Sequence, residues 1–432
     1  LEEKIMSIKL KPYPKYKDSG VEWLGDVPEG WGVIRLRFLC DISTGDKDTV
    51  NAVTEGIYPF FVRSQTIERI NSYTHEGEAV LTAGDGVGVG KVFHYIQGKF
   101  DYHQRVYCFY SFRLINGKFF YRYLSNLFTC EINKCNAKST VDSVRLPMLQ
   151  NFIFSVPPLK EQTTIASYLD TQTAKIDTLI TKYQKLIELS KEKRQAMITQ
   201  AVTKGLDPDV KMKDSGVEWL GDVPDGWDIK RLRFISKFKN SNVDKKSYDN
   251  QNPVLLCNYT DVYYNEEITN NLQFMKATAS DNEIKNMSLK KHDVIITKDS
   301  ESPNDIGIPA IVIEDLDNVV CGYHLTIFEQ SSYVIGKYIY RTLQADSTKY
   351  YLYIETPGVT RYGLGQDTIG NLSFALPPLQ EQTTIASYLD TQTAKIDTLI
   401  KKSKQAIELL KEKRTALITA AVTGKIDVRE CV

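Results

Sequence analysis

The 432-residue chain is 42% hydrophobic, material enough for roughly two to four domains with real cores. Lysine plus arginine balance aspartate plus glutamate at 54 each, so no global positive field draws it to nucleic acid or anionic lipid, and any DNA binding is local or shared. The seven cysteines are scattered: even the closest pair, Cys130 and Cys135, lacks the second CxxC or histidine cluster of a zinc site, which fits a reducing cytoplasm. No apolar run approaches a membrane span. The opening LEEKIMSIKLKPYPKYKDSG has no signal-peptide apolar region, and Leu1 to Lys4 reads as an expression remnant before Met6.

Along the chain the first element is a repeated block. KDSGVEWLGDVP occupies Lys17 to Pro28 and returns at Lys213 to Pro224, followed by EGWGVIRLRF and DGWDIKRLRF. A variable region follows each copy. In the first, YPFFV reads as a strand, and GEAVLTAGDGVGVGKVFHY (Gly77 to Tyr95) as two strands around a glycine-rich turn. FFYRYL (Phe119 to Leu124) then suggests an amphipathic helix. In the second, the strand VLLC, the strand, polar loop and strand of KKHDVIITKDSESPNDIGIPAIVI (Lys290 to Ile313), and the helical YVIGKYIYRTL (Tyr333 to Leu343) repeat the order. FDYHQRVYCFY and VCGYHLTIFEQ share a Tyr-His before alternating apolar residues, which aligns His103 with His324 and places the 24 extra residues of the second half between Phe234 and His324.

Each half ends on the same twenty letters, EQTTIASYLDTQTAKIDTLI, at Glu161 to Ile180 and again at Glu381 to Ile400. The paired prolines of VPPL and LPPL stop a strand and open a helix, and no glycine or proline intervenes until Gly205 and Gly424. Each helix therefore runs on the order of 60 Å at about 1.5 Å per residue. Leu169, Ile176, Tyr183, Ser190 and Met197 recur at heptad spacing, with Ile180, Ile187, Arg194 and Ala201 in the complementary position, a seam on which the two helices can pair. Leu179, Leu186, Leu189 and Ile198 lie off that seam and predict a second face covered by another element or another protein. The divisions are 1–158, first variable domain with its repeat block; 159–205, first long helix; 206–378, second variable domain with its block; and 379–432, second long helix and C-terminus.

Enzyme motifs are absent where they would be needed. GDGVGVGK has Asp85 where a Walker A loop requires glycine and Val92 where it requires Ser or Thr, and its glycines alternate instead of following GxGxxG. SVPPL and ALPPL lack the polar residue and the aromatic of the amino-methyltransferase motif, and are helix-start turns. The five histidines show no HExxH spacing, and no GxSxG elbow occurs.

KYKDSGVEWLGDVPEGW, PPLKEQTTIASYLD with PPLQEQTTIASYLD, GEAVLTAGDGVGVG, DYHQRVYCF and CGYHLTIF together resemble the specificity subunits of type I restriction-modification enzymes, from about Tyr13 to Val428. The resemblance implies an α/β (α+β) fold. Two globular target recognition domains would be joined by two long antiparallel coiled-coil helices in a pseudo-twofold internal repeat. It also implies a non-catalytic subunit that binds double-stranded DNA, with no cofactor of its own. Two methylation subunits would bring S-adenosylmethionine and methylate adenine at N6, and restriction subunits would bring ATP and magnesium. Two domains on a stiff spacer suit two short sites separated by unread base pairs; at about 3.4 Å per base pair, a spacer on the order of 50 Å matches a site of roughly fifteen.

For base or phosphate contacts the first domain offers Arg63, Ser64, Gln65 and Thr66 after YPFFV, the loop from Asp85 to Lys91, and His103, Gln104 and Arg105. The second offers Asn258, Tyr259 and Thr260 after VLLC, Lys298, Ser300 and Asn304 in the polar loop, and His324 and Arg361. Leu179, Leu186, Leu189 and Ile198 are the candidates for docking partner subunits. The competing readings are a coiled-coil scaffold with two ligand-binding domains, and a methyltransferase with degenerate motifs.

Overall fold

Pro157–Pro158 and Pro377–Pro378 cannot donate into a strand or a helix interior, so each pair ends a strand and opens a long helix. In a computed structural model, which describes residues 11–135, 143–356, 358 and 361–431, the helices are Leu159–Lys204 and Leu379–Val422, of 46 and 44 residues. Both stop where a glycine takes a positive φ, 78° at Gly205 and 72° at Gly424; a Cβ at Gly424 would also run into the Pro28 ring.

Compactness divides the chain inside these helices. One unit is Leu1–Tyr183 with Gln405–Val432, and the other is Gln184–Lys404. Each unit thus contains the first part of one helix, the last part of the other, and one variable domain.

Within each unit the two helical pieces run antiparallel. In the first, Ile165, Tyr168 and Leu169 share a core with Ile418, Ala421 and Val422, and Asp177 meets Arg414 at 2.9 Å. In the second, Ile198, Ala201 and Val202 share a core with Ile385 and Leu389, and Arg194 meets Asp397 at 3.1 Å. The heptad seam holds through Leu169, Ile176 and Ser190, then slips by one residue: Ile198 is fully buried where Met197 was expected. A straight helix turns every 3.6 residues and drifts from a 3.5 repeat, so its end faces its own domain. Ile198 is therefore a core residue that no external partner reaches, which corrects its assignment to a docking face.

The repeated block forms the same hairpin twice, Tyr16–Asp18 with Asp26–Pro28 and Met212–Asp214 with Asp222–Pro224, in identical register. The buried Trp31 and Trp227 follow it.

The first variable domain is a six-stranded sheet. Its strands are β1 (Asp41–Thr44), β2 (Tyr58–Phe61), β3 (Glu68–Ile70), β4 (His75–Ala83), β5 (Phe93–Tyr102) and β6 (Val106–Tyr110), in the order β1-β6-β4-β5-β2-β3. Only β2 and β5 pair in parallel. Alternation along β4 sends Val80 to the core shared with helix α1 (Gly117–Cys135), and Ala79 and Leu81 to a second cluster with Phe61 and Phe100. The expected glycine-loop hairpin is the β4–β5 pair.

The second domain distributes eight strands between two sheets. β7 (Lys237–Asn240), β14 (Leu325–Glu329), β11 (Val294–Thr297), β12 (Pro309–Val312) and β9 (Glu267–Ile268) form one in that order; β10 (Met275–Ala279), β8 (Asn252–Cys257) and β13 (Val319–Cys321) form the other. Helix α3 (Gly336–Gln344) covers the face carrying Val294, Ile296 and Phe328. The fold is α+β, repeated.

The identical segments make identical attachments. With the long helices taken as α2 (Leu159–Lys204) and α4 (Leu379–Val422), buried Gln162 at the start of α2 donates to the carbonyls of Pro157 (2.7 Å) and Leu114 (2.9 Å) and accepts from the Asn116 N–H (2.6 Å). Gln382 in α4 donates to Pro377 (2.9 Å) and Tyr333 (2.9 Å) and accepts from the Ile335 N–H (3.1 Å). Two turns on, Asp170 binds Lys118 and Arg122 of α1 at 3.1 and 2.7 Å, and Asp390 binds Lys337 and Arg341 of α3 at 2.6 and 2.8 Å. Burial would raise both carboxyls, yet the paired cations hold each below its ordinary value.

Gln162→Leu leaves two carbonyls and one N–H buried without their partner, and should cost the first unit about 1–3 kcal/mol in urea or thermal unfolding. Gln382→Leu should do the same in the second unit. A loss below about 0.5 kcal/mol in both would show that the glutamines do not hold the junction.

Candidate nucleic-acid interface

The two variable domains differ in sequence but share one hydrogen-bond frame at a single end of their sheets. The N–H of Gly84 donates to Arg105 O at 2.8 Å, and that of Lys298 to His324 O at 2.8 Å. His103 N donates to Phe61 O at 2.9 Å, as Gly322 N does to Cys257 O at 2.8 Å. Gln104 N donates to Lys47 O and Tyr323 N to Val243 O, both at 2.8 Å; Val144 N donates to Gly84 O at 2.8 Å and Leu364 N to Lys298 O at 2.9 Å. These bonds make Arg105 equivalent to His324, Asp85 to Asp299, and His103 to Gly322. The sequence alignment of His103 with His324 is thereby corrected by two residues. A shared Tyr-His pair misled it, because backbone pairing and not letter identity fixes strand register.

In the first domain the three predicted segments converge. Asp85, at the mouth of the β4–β5 turn, accepts from Arg63 Nη1 at 2.9 Å through one carboxylate oxygen and from Arg105 Nη1 at 2.6 Å through the other. Burial would raise this carboxyl, but the two guanidiniums hold it below the ordinary carboxylate value. Gln65 Nε2 ties the neighbouring loop to the Lys91 carbonyl at 2.6 Å, and Ser64 Oγ donates to Thr66 O at 3.0 Å. Gly88 lets the turn pass against this loop, since a Cβ there would collide with the Arg63 carbonyl. Arg63, Ser64, Gln65, Thr66, Lys91, Gln104 and Arg105 are all exposed. His103 is not: its side chain is 2% exposed, and Nδ1 accepts the Arg105 N–H at 2.9 Å. It braces the strand end from beneath and does not present itself to a ligand.

In the second domain the frame borders a hollow of about 750 Å³ lined by Tyr259, Thr260, Tyr263, Asp299, Ser300, His324 and Arg361, among others. His324 takes a φ of 73° and places Nδ1 2.8 Å from Asp299 Oδ2, so the carboxylate requires the ring proton on Nδ1. Arg361 Nη2 lies 3.3 Å from the His324 ring nitrogens. The Lys298 ammonium sits 3.5 Å from Asp299 and 5.7 Å from the centre of the Tyr323 ring. The rings of Tyr259 and Tyr263 stack at 5.7 Å, and Tyr263 donates to Asp305 at 3.0 Å.

Of the predicted residues, Asn258, Lys298 and Asn304 do not line the hollow: Asn258 caps the helix Tyr259–Tyr264, Lys298 turns to Asp299 and the Tyr323 ring, and Asn304 stands in an exposed turn. Sequence reasoning missed Tyr263, which the helical spacing from Tyr259 could have flagged. It also missed Asp48, which receives Gln104 Nε2 at 2.8 Å, and Asp299, visible only once the strands are in register. Among the described residues no three His, Cys, Asp or Glu side chains are grouped to hold a metal, and no helix is long and apolar enough to cross a membrane.

The family model described as "Type I restriction modification DNA specificity domain" matches residues 28–190 and again 224–409. The chain belongs to the type I specificity subunits. It is 23% identical to the MjaVIII specificity subunit of Methanocaldococcus jannaschii across 93% of this chain and 94% of that one. It is 32% identical to the EcoDI specificity subunit of Escherichia coli across 41% of this chain; that match spans 39% of the relative's length. In fold it is similar to a chain solved in work on complex assembly and conformational transition of the type I R-M system, with a TM-score of 0.67 at 15% identity over 92% of this chain and 98% of that one. The HsdS subunit of Thermoanaerobacter tengcongensis gives 0.56 at 14% identity over 93% and 98%. Both family matches begin at the end of a repeated hairpin and run into a long helix, so each of the subunit's specificity domains includes one complete frame.

The two target domains of this specificity subunit should respond to pH with opposite signs. Burial holds His75, His94 and His103 of the first below the ordinary imidazole value. The unfolded chain then binds more protons, so their stabilisation is complete above about pH 6.5 and is lost as pH falls through each folded value. In the second domain burial pushes Asp293 up to about 6, and the folded state keeps that proton. Its contribution is complete below about pH 4 and is lost as pH rises through 6. Between about pH 7.5 and 5.5, the urea midpoint of the first unit should fall and His94→Gln should flatten the fall, while Asp293→Asn should reduce any opposite slope in the second. Parallel slopes in both units would contradict the assignment.

Proposed function

We propose that this specificity subunit reads an asymmetric, bipartite duplex site, each target domain contacting one half, and directs adenine-N6 methylation and restriction performed by partner subunits. The reading rests on one observation: a common backbone frame carries Arg63, Asp85 and Arg105 in one domain and Tyr259, Asp299 and His324 in the other. One frame with two different sets of donors and rings suits two different half-sites.

In this reading the subunit itself catalyses nothing and works in the cytoplasm. Two methylation subunits supply S-adenosylmethionine, and restriction subunits supply ATP and magnesium. Leu186 and Leu189 in one unit and Leu409 in the other are exposed on the long helices, and Leu179 is partly buried; in this reading each is a docking point offered to the methylation subunits. Neutral net charge limits the counter-ions that this chain alone can release, so tight binding draws on those partners. Helix length acts as the ruler for the unread base pairs.

Mapping N6-methyladenine in a host that carries the complete system tests the assignment. Exchanging Phe38 to Val156 for the corresponding domain of another specificity subunit should rewrite one half of the methylated site and leave the other; change in both halves, or no bipartite motif in the parent, would refute it. Inserting one heptad at equivalent points of both long helices should lengthen the spacer by about three base pairs, from about 1.5 Å per residue against 3.4 Å per base pair, with both halves preserved. An unchanged spacer would refute the ruler.

A further inference from the structure

We propose that Asp85 and Asp299 are positioning residues for DNA recognition: each aims the side chain at the end of its domain's last strand, Arg105 or His324, at the bases of one half-site. This deepens the bipartite reading and rests on it.

The equivalence of the two acids comes from the backbone alone. Each follows the residue whose N–H binds the carbonyl of the positioned side chain's own residue, Gly84 to Arg105 and Lys298 to His324. Each also pairs with a strand-like neighbour on its other side, Asp85 with Ser143 and Asp299 with Gly363. The surrounding loops share neither length nor composition, GDGVGVG against KDSESPNDIG, yet both place a carboxylate at this point.

A carboxylate beside a polyanion costs binding energy through like-charge repulsion. It is useful there if it fixes something that recognition needs. Arg105 and Arg63 are long side chains, 60% and 41% exposed, and one carboxylate oxygen holds each guanidinium by a single nitrogen. The remaining N–H groups are left free to face a ligand in a set orientation, which lowers the ordering cost of binding and matches the paired donors that guanine accepts. In the second domain Asp299 holds the His324 proton on Nδ1 and so sets the orientation of the ring, whose Nε2 lies 3.3 Å from Arg361 Nη2. Without Asp85, the Arg105 guanidinium is free to swing to the nearest phosphate, a contact that carries no sequence information.

The variants Asp85→Asn and Asp299→Asn, in the full complex with its own partner subunits, separate this role from a structural one. The probes are duplexes bearing the mapped methylation site, the same site with one base pair changed in either half, and an unrelated duplex. With D85N, preference for the correct base pair in the first domain's half-site should fall about ten-fold or more, preference in the other half should stay, and binding to the unrelated duplex should hold or increase. D299N should show the mirror pattern. Preference unchanged in both variants, both halves relaxed together, or the unrelated duplex weakened as much as the site would each overturn the proposal. If D85N does not fold, as judged by its melting midpoint, D299N decides; if neither folds, the acids are structural and the proposal falls. A parent complex that discriminates in neither half would instead defeat the bipartite reading itself.

Discussion

Everything variable in this protein is hung from a buried glutamine. Gln162 and Gln382 each spend a full amide on the backbone: two donors to carbonyls on either side of the junction and the oxygen to an N–H at the entry of the following helix. A buried amide of this kind tolerates little change, because any substitution strands three backbone groups away from water. The acid two turns later adds a charge-assisted attachment to the same domain helix through Lys118 and Arg122, or Lys337 and Arg341. The literal repetition of EQTTIASYLD follows from this geometry. The same junction is made twice, by the same glutamine and the same aspartate.

That junction frees the far end of each sheet. The frame there consists of backbone N–H and carbonyl groups, which every residue except proline supplies, so the side chains projecting from it can be replaced without loss of the pairing. Arg63 and Tyr259 occupy one such position, Gln104 and Tyr323 another, Arg105 and His324 a third. The cores around Trp31 and Trp227 pack on the long helices, and further cores around Phe61 and Leu325 lie within the domains behind the frame.

Features governed by local sequence were legible before any coordinates: the prolines that open the long helices, the hairpins around Gly86 and Ser300, the amphipathic helices at Phe119 and Tyr338, and the repeat itself. What failed depended on pairing between distant segments. His103 and His324 look equivalent as letters, yet strand register sets one under the frame and the other on it. Along the sequence Asp85 belongs to its glycine-rich loop and Asp299 carries no signal, because loops of different length hide their common position. Ile198 was misassigned since the heptad was extended past the point where helical drift turns that face inward. A pattern read along one segment cannot contain the register of a second.

Charge balance takes on meaning from the same arrangement. With 54 acidic and 54 basic groups, the protein does not rely on a long-range field. The positions proposed to read DNA pair hydrogen-bond donors with acids: Asp85 between two arginines, Asp299 against His324 and Lys298, and Asp48 holding Gln104. Each acid lowers the general attraction to phosphate while restricting where the neighbouring donor can point. Discrimination is a difference between affinities, and a surface that binds all DNA weakly loses little by being demanding about base pairs. In the proposed reading, affinity is supplied by the complex, and sequence choice stays with the few side chains at the two strand ends.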